Sequence, residues 1–220
     1  MTRTLIRWTH RQILAAYGRP PWQPRNEPLD ELIGTVLSQH TSDLNADRAF
    51  AGLKATFSSW EAVRDAPPAA VEAAIRSGGL AVVKAARIQA VLQALTDASG
   101  RVVLPDLRHM RRARARELLT HLPGVGKKTA SCVLLFGAGV PAIPVDTHVH
   151  RVSLRVGLVP PRATPDAAME VLEAAVEPKE YYALHVNLIR HGREVCKAQR
   201  PRCGVCVLRA RCAYALAAIR

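Results

Sequence analysis

Apolar side chains recur along this chain at helical intervals. Leu32, Ile33, Val36 and Leu37 follow Pro28 at three- and four-residue spacing, which predicts a helix over 30–38. The same reading predicts helices over 45–54, 83–95, 111–119, 127–136, 147–156, 164–176 and 181–191. Ser58-Ser59-Trp60-Glu61 has the form of a capping box, in which a hydroxyl and a carboxylate satisfy the first free amides of a helix. Pro67-Pro68 opens a helix through Ile75, because the first turn has no use for the amide that proline lacks. Gly78-Gly79 breaks it. Alternating β-branched runs are scarce, the connections are short, and no repeat or low-complexity tract is present. The pattern predicts an all-α fold.

Composition adds a partner class. The 220 residues suffice for one large domain or two small ones, with a core that needs no disulfides. Lys and Arg number 31 against 18 Asp and Glu, a net charge of +13 that favours a polyanion, most simply nucleic acid. The longest uncharged run, 129–145, is short for a membrane span and carries Gly137, Gly139, Pro141 and Pro144. Charged residues also stand at the N-terminus where a signal peptide needs an apolar stretch. The expectation is a soluble intracellular protein with no membrane partner. Of the five cysteines, four fall in the last 25 residues, which points to a metal site in a reducing compartment and not to a secreted disulfide framework.

Two segments suit a nucleic-acid partner. A basic helix is expected over 108–116, with five arginines in nine residues. It leads into Leu122-Pro123-Gly124-Val125-Gly126-Lys127-Lys128-Thr129-Ala130. Gly124 and Gly126 permit backbone angles that other residues resist, and they expose free amides at the start of the next helix. Such amides bind an anion such as phosphate. Leu122 and Val125 are expected to anchor the turn in the core, and small Ala130 to let the two helices approach. This is the form of a helix-hairpin-helix, a sequence-independent grip on a DNA backbone. A P-loop needs four residues between its two glycines, so that reading fails.

Only six lysines occur in the chain, and Lys127 and Lys128 both sit at this turn. An ammonium there feels the helix dipole and its neighbour's charge, and both favour the neutral amine that a Schiff base requires. The commoner role for either lysine is a phosphate contact. Asp146, before Thr147-His148, is placed to cap a helix. A carboxylate there could also stabilise positive charge at an anomeric carbon, or take a proton from an attacking amine. Cys196, Cys203, Cys206 and Cys212 make an all-cysteine set that suits either tetrahedral zinc or a [4Fe–4S] cluster. Lys197, Arg200 and Arg202 make its loop basic, while Cys132 reads as a core residue.

Together, the hairpin, Val145-Asp146-Thr147-His148, His191-Gly192-Arg193 and the cysteine spacing resemble endonuclease III, an iron–sulfur branch of the helix-hairpin-helix base-excision DNA glycosylases. The resemblance runs from about Asp30 to Cys212. It implies two helical domains, a six-helix barrel carrying the hairpin over 29–142 and a cluster domain from 1–28 and 143–220, with the active site in the cleft between them. It implies [4Fe–4S] on the four cysteines, Lys128 as nucleophile, Asp146 as the catalytic carboxylate and Lys127 as a phosphate contact. The implied activity is removal of oxidised pyrimidines of the thymine glycol type, followed by β-elimination at the abasic site. The partner would be double-stranded DNA containing damaged bases or abasic sites, met by a monomer in the cytoplasm at the nucleoid.

Leu37-Ser38-Gln39-His40-Thr41-Ser42-Asp43 resembles the family's Leu-Ser-x-Gln-x-Thr-Asp, with His40 where a Gln fills the hole left by the flipped base. Gly79-Leu80-Ala81-Val82-Val83-Lys84-Ala85 resembles the family's Gly-Leu-Tyr-x-x-Lys-Ala, with Leu80 where the family places an intercalating wedge and Ala81 in place of its Tyr. Thr120 replaces a carboxylate often found two residues before the Leu-Pro-Gly. A DNA-binding relative with weak or lost base excision, an adenine-mismatch glycosylase and a zinc-stabilised DNA-binding protein are the competing readings. Lys128 and the chain's end soon after Cys212 weigh against the adenine-mismatch enzyme.

Overall fold

The computed structural model describes residues 2–23 and 26–217. Among these, every regular element is a helix, and one antiparallel bridge pairs Thr96 with Val102. In chain order the α-helices are α1 (Thr2–Tyr17), α2 (Pro28–Leu37), α3 (Asp43–Thr56), α4 (Trp60–Asp65), α5 (Pro68–Ala74), α6 (Ala81–Ala94), α7 (Arg112–Thr120) and α8 (Lys127–Cys132). They continue with α9 (Thr147–Val156), α10 (Pro165–Ala175), α11 (Tyr181–Glu194) and α12 (Ala213–Ala217). No helix among the described residues is long and apolar enough to cross a membrane.

The chain divides into two compact units. One comprises the stretch up to Gln23 together with everything from Pro141, and the other is the stretch between them, ending at Val140. In the middle unit the apolar face of α2 is wholly buried, with Leu32, Ile33, Val36 and Leu37 at 0% exposure. Removing each such side chain from water stabilises the fold by about 1.5–3 kcal/mol. That face packs on α3, α6 and α8. In the other unit α9 packs on α10 and α11, and α1 lies against α10 and α11. Ile6, Ile13, Val149, Val152, Leu172 and Leu184 belong to its core.

Four features differ from the sequence expectations. Helix α1 is absent from the pattern above because its inward positions are mixed. Ile6, Thr9, His10 and Ile13 are all buried at helical spacing, but only two of them are apolar. At α4 the cap falls one residue later than the capping box requires. Ser59 accepts from the Ala62 amide, while the Glu61 carboxylate accepts from the Val102 amide at 2.7 Å. The expected helix 127–136 becomes α8 plus a π-helical turn, Val133–Gly137, closed by the Ala138 amide on the Val133 carbonyl. The basic run 108–116 is not one helix: Leu107–His109 forms a 3₁₀ turn, and α7 begins only at Arg112.

Candidate nucleic-acid interface and cysteine pocket

The hairpin joins α7 to α8. Leu122 and Val125 are buried and anchor it, and Ala130 is fully buried behind it. The two glycines are not equivalent, which corrects the reading that both are needed for backbone freedom. Gly124 has φ +70°, and a Cβ there would collide with Arg87 Nε and Cδ. Gly126 is extended (φ −87°, ψ 174°), and a Cβ would meet nothing within 4 Å. Gly126 keeps the entrance to the α8 amides open but is not demanded by its own backbone angles. In the first turn of α8, Lys127 is exposed and Lys128 half-buried, and Thr129 beside them is buried.

Two further loops of the same unit carry the residues expected to enter DNA. Gln39 is engaged within the protein: its amide nitrogen donates to Thr129 Oγ1 at 3.4 Å, and its oxygen accepts from Arg87. Exposed His40 adopts φ +54°. Leu80 caps α6 with φ +50° and is 57% exposed. A left-handed conformation costs an L-residue with a Cβ about 1–2 kcal/mol. Val82 and Val83 are also exposed, so the start of α6 presents apolar surface to solvent.

In the other unit, Asp146 is the N-cap of α9, as its position suggested, with Oδ1 accepting from the Val149 amide at 2.7 Å. The residue is half-buried, and its second oxygen has no hydrogen-bond partner among the described residues.

Cys196, Cys203, Cys206 and Cys212 all line one pocket, together with Arg155, His191 and Tyr214. Burial pushes the Cys206 and Cys212 thiols up, and the neighbouring cysteines add to the shift. Thiols that raise one another in this way would be relieved by a cationic group among them, and the donor set is all sulfur. In residue type alone the set suits a thiolate-bound metal group. Among the described residues, no three or more His, Cys, Asp or Glu side chains form a group that could hold a metal ion. Cys132 is buried in α8, as expected of a core residue.

The contacts that support this pocket were not visible in the sequence. Arg155 donates to the carbonyls of Lys197 and Ala198 and approaches Cys196 Sγ at 3.6 Å. Arg151 donates to the Cys196 and Gly192 carbonyls. Their spacing of four on α9 was the only available signal. His191, pushed below the usual imidazole range by burial, bonds Tyr17 through Nδ1 at 2.8 Å and faces Cys206 Sγ through Nε2 at 3.5 Å. Lys197, Arg200 and Arg202 are exposed on the loop, and Arg200 adopts φ +49°.

Comparison with known proteins places these features in a family. Residues 33–178 match the family described as HhH-GPD superfamily base excision DNA repair protein. An Arabidopsis thaliana protein provisionally named a DNA glycosylase is 39% identical over 75% of this chain, and the chain spans 56% of that relative's length. Endonuclease III of Thermotoga maritima is 36% identical over 87% of each chain. Among solved structures, a non-covalent endonuclease III–DNA complex superposes with a TM-score of 0.86 at 31% identity, covering 100% of this chain and 99% of the other.

Proposed function

This chain belongs to the HhH-GPD superfamily of base excision DNA repair proteins, within the endonuclease III family of DNA glycosylases with abasic-site lyase activity, and on that premise we propose that it removes oxidised pyrimidines of the thymine glycol type and nicks the resulting abasic site by β-elimination. The observation that carries the reading is the position of Lys128, half-buried in the first turn of α8 directly behind the hairpin.

The reaction is assigned as follows. The exposed amides at Gly126 and Lys127 and the exposed Lys127 side chain hold phosphates. The damaged nucleotide leaves the stack, because its C1′ cannot be reached inside the duplex. The neutral amine of Lys128 attacks C1′; the C–N bond to the base breaks, and the base departs with the bonding electrons and takes up a proton. The free oxygen of Asp146 meets the positive charge that develops at C1′. The amine gives up one proton, and its lone pair then breaks the C1′–O4′ bond, the ring oxygen taking up a proton, to leave an open sugar joined to Lys128 by a protonated Schiff base. Its positive charge acidifies C2′, and loss of a C2′ proton expels the 3′ phosphate. Water then releases Lys128.

The four cysteines Cys196, Cys203, Cys206 and Cys212, which line one pocket, are proposed as ligands of a [4Fe–4S] cluster, in keeping with an all-thiol donor set. Such a group would cross-link the end of α11 to the start of α12 and supply redox capacity. Exposed Lys197, Arg200 and Arg202 then stand on a fixed loop, suited to phosphate contacts. His40 and Leu80 are proposed to occupy the gap and the stack beside the flipped base. The protein is taken to act as a monomer on chromosomal DNA in the cytoplasm.

The test is to measure base release and strand nicking separately on duplexes carrying thymine glycol or an abasic site. Both activities are expected. Nicking of the abasic duplex alone would mean that His40, Ala81 and Thr120 have moved the base pocket to another lesion. Removal of mispaired adenine without nicking, or DNA binding with no turnover, would overturn the proposal in favour of a mismatch enzyme or a binding relative.

A further inference from the structure

The middle unit contains a lysine and an arginine that the reaction above does not use. Lys84 is 2% exposed, and its ammonium donates to the Leu37 carbonyl at 2.7 Å and to the Gly78 carbonyl at 2.8 Å. Leu37 is the last residue of α2, and Gly78 the last of the 3₁₀ turn Arg76–Gly78. Carbonyls at helix ends lack partners inside the helix, and a cation there is favoured by the dipole. One buried side chain therefore closes two helix ends at once.

The chain beyond each clamped carbonyl enters a strained segment. Three residues after Leu37 comes His40, and two residues after Gly78 comes Leu80, both with positive φ. Strained backbone of this kind persists only where its surroundings hold it.

One turn further along α6, Arg87 extends the same arrangement. Its guanidinium donates to the Gln39 side chain, and its stem fills the space where a Cβ of Gly124 would lie. Gln39 in turn reaches Thr129, the residue after Lys128. Three segments with no sequence proximity thus meet on two cations of one helix.

We propose that Lys84 and Arg87 are positioning residues, a brace that sets the Gln39–His40 loop, the Gly79–Leu80 turn and the hairpin in fixed register so that they engage DNA as one unit. This rests on the reading that His40, Leu80 and the hairpin contact a damaged duplex. Arg87 also accounts for the glycine at 124: any side chain there would displace the brace, whereas Gly126 carries no such constraint.

The variants are Lys84→Met and Arg87→Met, both uncharged, the first close to lysine in length and the second shorter than arginine. The first readout is amide hydrogen exchange in the free protein. Lys84→Met should speed exchange in 38–42 and 78–81 and leave 124–126 unchanged. Arg87→Met should speed 39–41 and 124–126 and leave 78–81 unchanged. The second readout is DNA. Single-turnover nicking of an abasic duplex should fall about 10²-fold, the usual penalty for misplacing a reacting group by an ångström. Affinity for undamaged duplex should change only a few-fold. Exchange that rises uniformly or not at all, or equal losses on damaged and undamaged DNA, would reduce both residues to general packing and overturn the proposal. Should Lys84→Met fail to fold, half-exposed Arg87 supplies the deciding variant. If the unmodified protein does not nick abasic DNA, the enzymatic reading fails, and the exchange pattern still decides whether the brace exists.

Discussion

At the scale of single residues, some side chains take their role from their type and others from their contacts. Lys128, Asp146 and the four cysteines could be singled out from the sequence because nucleophile, cap and thiolate ligand follow from residue type and local spacing. The contacts made by Lys84, Arg87, Arg155 and His191 could not be. Their partners lie 47, 48, 41 and 174 positions away in the chain for Lys84–Leu37, Arg87–Gln39, Arg155–Cys196 and His191–Tyr17. Asp146 tests the division. Asn caps a helix as well as Asp does. Asp146→Asn should therefore keep the melting temperature close to that of the parent, yet slow base release by about 10²–10⁴-fold, the usual range for a lost acid–base group. Asp146→Ala should lose the activity and also about 1 kcal/mol of stability with the cap. Calorimetry and single-turnover kinetics on both variants check this. Parallel losses of stability and rate in the Asn variant would make the residue a cap alone.

At the scale of elements, most α-helices followed from apolar spacing because each buries a continuous apolar face. Helix α1 did not, because it is held partly by polar contacts. His10 on α1 and Arg19 just beyond it both bond Glu180, at 2.7 and 3.0 Å, ahead of α11. Burial pushes the Glu180 carboxyl up, but the hydrogen bonds from Arg19 and His10 outweigh it and hold it below the usual carboxylate range. A carboxyl depressed in the fold contributes stability above its unfolded value, about 4.3, and loses it as pH falls through the folded value. Glu180→Gln should therefore lower stability by about 1–2 kcal/mol at neutral pH, discounted for the exposed Arg19. The difference from the parent should shrink as the pH drops below about 4. Urea melts at pH 7 and pH 3.5 measure it, and a difference independent of pH would contradict the assignment. The hairpin was legible as an element, but the unequal demands on Gly124 and Gly126 were not, because they depend on where Arg87 lies.

At the scale of the whole molecule, the net charge of +13 and the family point to the same partner. Binding that neutralises phosphates releases counterions, so the affinity for undamaged duplex should fall steeply with salt, by about 10³-fold or more between 50 and 200 mM if six phosphates are contacted. Lys127→Ala should reduce the slope by about one, as expected for one lost phosphate contact. Fluorescence anisotropy across a salt series measures both. Lys128→Ala should leave most of that affinity intact, because its assigned work begins only once a nucleotide has been flipped. The central claim is that Lys128 forms the bond to C1′. Borohydride reduction of the protein mixed with an abasic duplex, followed by mapping of the cross-linked peptide, tests it directly. A covalent complex on Lys128 is expected, one that survives Lys127→Ala and vanishes in Lys128→Ala. A complex that persists in Lys128→Ala, or one carried by Lys127, would contradict it.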